Sequence, residues 1–165
     1  MQICQIVGYK NSGKTTVMNN LIRYFSSSDL KVGTLKHHGH GGEPDVVENT
    51  DSTIHIESGS LVSGVQGENI TQLTFNMKMD IDMLIQLYSS FPIDLLLVEG
   101  YKNASYPKIV LVKDEQDSSL LKGLSNIIAI GTWDEGLFKN SGIPTFSIKN
   151  IDENIVQLAE YVRRC

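Results

Sequence analysis

The chain opens with a short apolar run, Gln2 to Val7, that reads as a buried β-strand. After a glycine-rich stretch comes Lys14 to Ser26, where Val17, Met18, Leu21, Ile22 and Phe25 recur at helical spacing. Strand, glycine loop and helix thus follow one another directly. Leu30 to Lys36 makes a second strand. The stretch HHGHGGEPDVVENTDS after it holds too many glycines and acids for a core element and reads as a long surface loop; inside a compact fold such a loop needs a functional reason. Ser60 to Gln66 and Ile70 to Phe75 alternate apolar and polar positions about a tight Gly67-Glu68-Asn69 turn, the pattern of an antiparallel hairpin.

Ile81 to Tyr88 has helical spacing, and Asp80 or Asp82 near its start suits the positive end of a helix dipole. Ile93 to Val98 is almost continuously apolar, as expected of a central parallel strand covered on both faces. Lys108 to Lys113 is another strand. The YKNASYP between them is shorter than the roughly dozen residues of a parallel crossover, so an antiparallel placement is expected. Asn126 to Ile130 and Thr145 to Ile148 read as strands. A closing helix, N-capped by Asp152 and running to about Arg163, buries Ile155, Leu158, Ala159 and Val162. The sum is one α/β three-layer domain over residues 1–165, with a mostly parallel sheet and one antiparallel hairpin.

Composition narrows the function. A net charge of -5 in 165 residues speaks against non-specific binding to nucleic acid or to an anionic membrane, each of which needs a basic face. Cys4 and Cys165 make neither a disulfide framework nor a ligand cluster, and Cys4 reads as a small buried apolar residue. Met1 leads into a core strand without a charged, then apolar, leader, and no run is long enough to span a bilayer; a cytoplasmic location is expected.

Gly8-x4-Gly13-Lys14-Thr15 fits the P-loop pattern, with the strand before it and the helix after it that the pattern requires. Loop amides and the positive helix end form an anion cradle. Gly8, Asn11, Ser12, Gly13, Lys14, Thr15 and Thr16 are therefore the candidate phosphate-binding residues, with Lys14 reaching the β and γ phosphates and the Thr15 hydroxyl completing a Mg²⁺ shell. Ligands of open α/β sheets sit beyond the carboxyl ends of the strands. Glu99, which follows the LLLV strand, is on that side and is the candidate Walker B acid, holding Mg²⁺; Asp94 lies at the opposite end. His37, His38 and His40 follow the second strand and start from the same edge, beside Lys36. Phosphate or substrate contact, a transition-metal site, and a plain solvated loop all remain open for them. Asp45, Glu48 and Asp51 are candidate Mg²⁺ or water-positioning acids. Asp134, after the IIAI strand, occupies the place where many GTP-binding proteins keep a guanine-reading Asp, although the Asn and Lys of that motif are absent. Trp133 reads as a packing residue.

Several of these pieces come in a specific order: Gly8-x4-Gly-Lys-Thr-Thr, Lys36-His37-x-x-His40, Asp51-Ser52, Glu57-Ser58-Gly59, Val98-Glu99-Gly100-Tyr101-Lys102 and Lys108-Ile109. Over nearly the whole chain this order resembles the molybdopterin-guanine dinucleotide biosynthesis protein B family. The resemblance implies a P-loop α/β fold, a homodimer, and GTP bound with Mg²⁺ and hydrolysed weakly. It also implies an accessory role beside the guanylyltransferase that attaches GMP to molybdopterin. Carried across, Asn11 to Thr16 hold phosphates, Lys36, His37 and His40 line the site with Asp51 and Lys102, and Lys14 and Glu99 carry any catalysis. Two other readings stay in view. One is a metallochaperone GTPase working through His37, His38 and His40. The other is a small-molecule kinase, which usually carries an arginine-rich lid, whereas this chain has Arg23, Arg163 and Arg164 alone.

Overall fold

The computed structural model describes residues 1–39, 41–134, 136–138 and 141–165. Six strands form one sheet in the order β2-β5-β1-β6-β7-β8: β1 Gln2–Gly8, β2 Val32–Lys36, β5 Leu95–Glu99, β6 Lys108–Val112, β7 Ile127–Thr132 and β8 Thr145–Ser147. All its neighbours pair parallel. β3 Val62–Gln66 and β4 Thr71–Phe75 pair antiparallel as a separate hairpin, closed by Gly67 N donating to Ile70 O at 2.8 Å.

The apolar runs bury both faces because their side chains alternate. Cys4, Ile6, Leu95, Leu97, Ile109 and Leu111 face one side, against Val17, Leu21 and Phe25 of helix α1 (Lys14–Ser26) and Leu158, Ala159 and Val162 of helix α4 (Ile151–Arg163). Their neighbours Leu96 and Val98 face helix α3 (Ile81–Tyr88), while Val110 and Val112 meet Leu120 of a 3-10 helix, Glu115–Gly123. Helix, sheet and helix make the three layers.

Three expectations need correction. β6 runs parallel to β1, and the reason is stagger. Glu99, the last residue of β5, sits level with Ile6, and Lys108, the first of β6, sits level with Gln5. The connection, residues 100–107, therefore steps over β1, about 10 Å, and back by a single register position; the usual minimum assumes strands in line. At the end of the long loop, whose reading reached Ser52, residues 51–57 form a short helix α2 (Asp51–Glu57), capped by the Thr50 hydroxyl accepting from Thr53 N. The N-cap of α4 is Asn150, and Asp152 lies inside the first turn. Asp80 does cap α3, its Oδ1 accepting from Met83 N at 2.8 Å. Among the described residues no helix is long and apolar enough to cross a membrane.

Candidate functional site

β1 ends at Gly8, and the chain turns there under close constraint. A Cβ on Gly8 would run into the Ser12 hydroxyl and come within 2.9 Å of Leu111 O. Asn11 (φ 61°) and Gly13 (φ 97°) are left-handed, which folds the loop back so that Ser12 N donates to Tyr9 O at 3.3 Å. Trp133, just past β7, clamps the loop from the side: its indole N–H donates to Ser12 O at 3.0 Å, and its ring lies against Gly13. A Cβ on Gly13 would be 3.2 Å from Trp133 Cζ2 and from Ile148 Cγ2.

The loop delivers the chain into α1 with Gly13 as N-cap, so no side chain satisfies the first amides, and the first turn holds no acid. The other helices of the described residues each carry Asp or Glu in the first turn. A helix end left with its positive partial charge unanswered, at the carboxyl edge of a parallel sheet, is an anion cradle. The Ser12 hydroxyl is buried and has no hydrogen-bond partner among the described residues. Lys14 bends over the mouth of the loop, its ammonium donating to Gly8 O (3.2 Å) and Tyr9 O (2.8 Å). Burial holds that ammonium below the ordinary lysine range; Glu99 opposes the shift, and Lys102 and Lys36 add to it.

In front of the loop lies a cavity of about 890 Å³. Gly8, Asn11 and Lys14 form one wall; Lys36 and His37 at the end of β2, Glu99 at the end of β5 and the Gly100–Ala104 segment form the other. The strand ends are tied together, with His37 N donating to Glu99 O (2.9 Å) and Gly100 N to Ile6 O (3.0 Å). The His37 ring lies 4.5 Å from that of Tyr101, and the Lys102 ammonium sits 4.1 Å over the Tyr9 ring.

Two fully buried polar side chains hold the crossover that carries Lys102. Gln5, in the middle of β1, donates from Nε2 to Gly100 O (3.0 Å) and Tyr101 O (2.8 Å). Lys108, at the start of β6, donates from Nζ to Ala104 O (2.8 Å), Tyr106 O (3.0 Å) and Ser125 O (2.8 Å). The loop's carbonyls thus point inward.

Of the residues read as candidates, Gly8, Asn11, Lys14, Lys36, His37, His38, Glu99 and Lys102 share this cavity. Ser12 and Gly13 complete the turn beneath it, and Thr15 and Thr16 are exposed in the first turn of α1. Asp51 begins α2 and does not line the cavity. Asp134 follows the clamping Trp133; its Oδ1 accepts from Gly136 N at 2.8 Å, the bond of a turn-forming Asp. His40 lies outside the described residues. Sequence reading missed Gln5 and Lys108 as anchors; a glutamine and a lysine inside otherwise apolar strand runs were the available signal.

The fold and the loop define the chain as an α/β protein of the P-loop NTPase kind. The family model Molybdopterin guanine dinucleotide synthesis protein B, MobB, matches residues 3–133, well over half of the sequence, and the chain belongs to this family. A Bacillus subtilis (strain 168) protein named "Probable molybdopterin-guanine dinucleotide biosynthesis adapter protein" is 38% identical over 145 residues, 87% of this chain and 84% of that one. The crystal structure of Bacillus subtilis MobB superposes with TM-score 0.81 at 36% identity, covering 96% of this chain and 97% of its own. A MobB homologue from Bacillus stearothermophilus gives 0.78 at 34%, over 100% of both chains. Neither a metallochaperone nor a small-molecule kinase finds support in these likenesses.

Proposed function

We propose that this chain, acting as one unit over residues 1–165, is a GTP-binding accessory protein of molybdopterin-guanine dinucleotide synthesis. In this reading it serves the guanylyltransferase of that pathway in the cytoplasm and turns GTP over slowly. The single observation that carries the reading is the uncapped, acid-free start of α1, with the Lys14 ammonium poised over it. The adapter role rests on family membership and on the name of the B. subtilis relative.

In this reading the amides from Asn11 to Thr16 bind the terminal phosphates, with Gly8 and Gly13 supplying the close approach and the unpartnered Ser12 hydroxyl a further donor. Lys14 swings from the carbonyls of Gly8 and Tyr9 to the β and γ phosphates, where its charge meets what develops as the bond to the γ-phosphate breaks. Thr15 and Glu99 are the oxygen donors that suit Mg²⁺, which when bound offsets phosphate charge. Lys36, His37 and Lys102 belong to the phosphate or substrate lining. Asp134 reads guanine; since Oδ1 serves Gly136 N, contact with the base falls to Oδ2. Hydrolysis is slow because, among the described residues, no arginine lines the cavity, and P-loop enzymes without such a group or an orienting glutamine are sluggish.

Homodimer formation is part of the proposal. The hairpin leaves Leu61, Val65, Ile70 and Leu73 exposed, with Ile70 at 76%, and a small sheet with apolar residues on open edges is usually covered.

The chain's one tryptophan, Trp133, donates to the P-loop itself and so reports on it. Saturable change of its fluorescence on adding GTP with Mg²⁺, together with phosphate release well below one per second, supports the reading. Unchanged fluorescence and no bound nucleotide at millimolar GTP would defeat it.

A further inference from the structure

Lys10, Lys14, Lys36 and Lys102 line the same cavity, and among the described residues Glu99 is its one carboxylate, in a chain whose net charge is -5. Among the described residues the one ion pair is Arg164–Glu160, on the surface of α4; Glu99 acts on Lys14 across the cavity, but none of these lysines makes a direct ion pair with a described carboxylate. Gathering unpaired ammonium groups is unfavourable unless an anion meets them. The P-loop amides and Lys14 account for one polyphosphate tail.

Lys36 and Lys102 reach the cavity from its other wall, the Lys102 ammonium bordering the P-loop 4.1 Å over the Tyr9 ring. Lys36 ends β2, which is two strand spacings, about 10 Å, from β1, with Glu99 of β5 directly beside it in register. Lys102 rides on the crossover, whose shape is fixed by left-handed Gly100 (φ 92°) and Tyr101 (φ 50°) and by the Gln5 and Lys108 anchors. A flexible surface loop would need no such fixing; a cation held for a ligand does. His37, packed between Gly100 and Tyr101, adds a ring donor at the same corner, and Ile81 of α3 adds an apolar wall.

We infer that the cavity is bipartite: beyond the nucleotide's phosphates, Lys36, Lys102 and His37 form a second subsite for a phosphomonoester whose body lies against Tyr101 and Ile81. Both molecules are held at once, with Glu99 between the two anion positions. This rests on the nucleotide reading above for the identity of the first ligand, and adds a second one that differs in place and chemistry.

The probe is phenyl phosphate, titrated by ³¹P NMR onto protein saturated with Mg²⁺ and a non-hydrolysable GTP analogue, loading being read by Trp133 fluorescence. One phenyl phosphate per loaded chain is expected. Its affinity should fall at least tenfold in Lys36→Met and in Lys102→Met and return in Lys102→Arg. Displacement of phenyl phosphate by the analogue, or affinity unmoved by both methionine variants, would overturn the subsite. Should the protein not load with nucleotide at all, the nucleotide reading falls separately. The subsite then stands if phenyl phosphate binding needs Lys102 and survives Lys14→Ala, and falls if Lys14→Ala removes it.

Discussion

Lys108→Met tests the claim that a buried ammonium shapes the site. The side chain is fully buried and donates to the carbonyls of Ala104, Tyr106 and Ser125 at 2.8–3.0 Å, with no carboxylate partner among the described residues. Hydrogen bonds from a charged group contribute about 1.5–3 kcal/mol each, and a carbonyl left buried and unpaired costs about 1–3 kcal/mol. Against that loss stands the desolvation of the ammonium, several kcal/mol, which the variant no longer bears. Methionine fills nearly the same volume. The balance is a loss of about 3 kcal/mol, which for a chain of this size lowers Tm by about 6–12 °C. Burial also holds the Lys108 pKa below its ordinary value. The unfolded state therefore binds the extra proton between the folded and unfolded pKa values. Native stability carries a cost that is full below the folded pKa and is relieved as pH climbs toward 10.5. Differential scanning calorimetry of both proteins from neutral to alkaline pH reads both effects. A Tm within 2 °C of the native protein's, or the same alkaline slope in the variant, would show that the crossover is held by something else.

Other substitutions follow from the geometry. Gly13→Ala places a Cβ against Trp133 and Ile148 at a left-handed φ, so about 1–2 kcal/mol of stability and most nucleotide affinity should disappear, as denaturant titration and Trp133 fluorescence would show. Asp134→Asn should weaken GTP about tenfold while leaving ATP unaffected, loss of a specific hydrogen bond being worth about 1–1.5 kcal/mol; equal affinity of the native protein for GTP and ATP would remove the role given to Asp134. Ile70→Asp with Leu73→Asp puts charge on the exposed hairpin, and sedimentation should change from dimer to monomer; a native protein that already sediments as a monomer contradicts the dimer.

Much of this was readable from residue order because the rules involved are local. Alternation and continuous apolar runs marked β1, β5 and β7, and helical spacing marked α1, α3 and α4, to within a few residues. The phosphate loop was legible because its glycines answer to backbone geometry that leaves few alternatives. What failed depends on register between distant segments. The parallel placement of β6 follows from how far Lys108 is staggered against Gln5, which the length of the connection alone does not reveal. The anchoring by Gln5 and Lys108 likewise appears only once residues 100–107 pass over them. α2 was hidden by its surroundings, since Thr50-Asp51-Ser52 reads as loop until Thr50 is seen to cap the turn that follows. Asp51 and Asp134 do not line the cavity: Asp51 begins α2, and Asp134 closes a turn by accepting from Gly136 N.

Calorimetric titration of GTP with Mg²⁺ into the native protein and into Lys14→Ala bears most directly on the phosphate cradle at the start of α1. One GTP per chain is expected, with affinity at least a hundredfold weaker in the variant, about 2.8 kcal/mol by the tenfold-per-1.4 relation. Heats that do not saturate in the native protein, or the same affinity without the Lys14 ammonium, would contradict it.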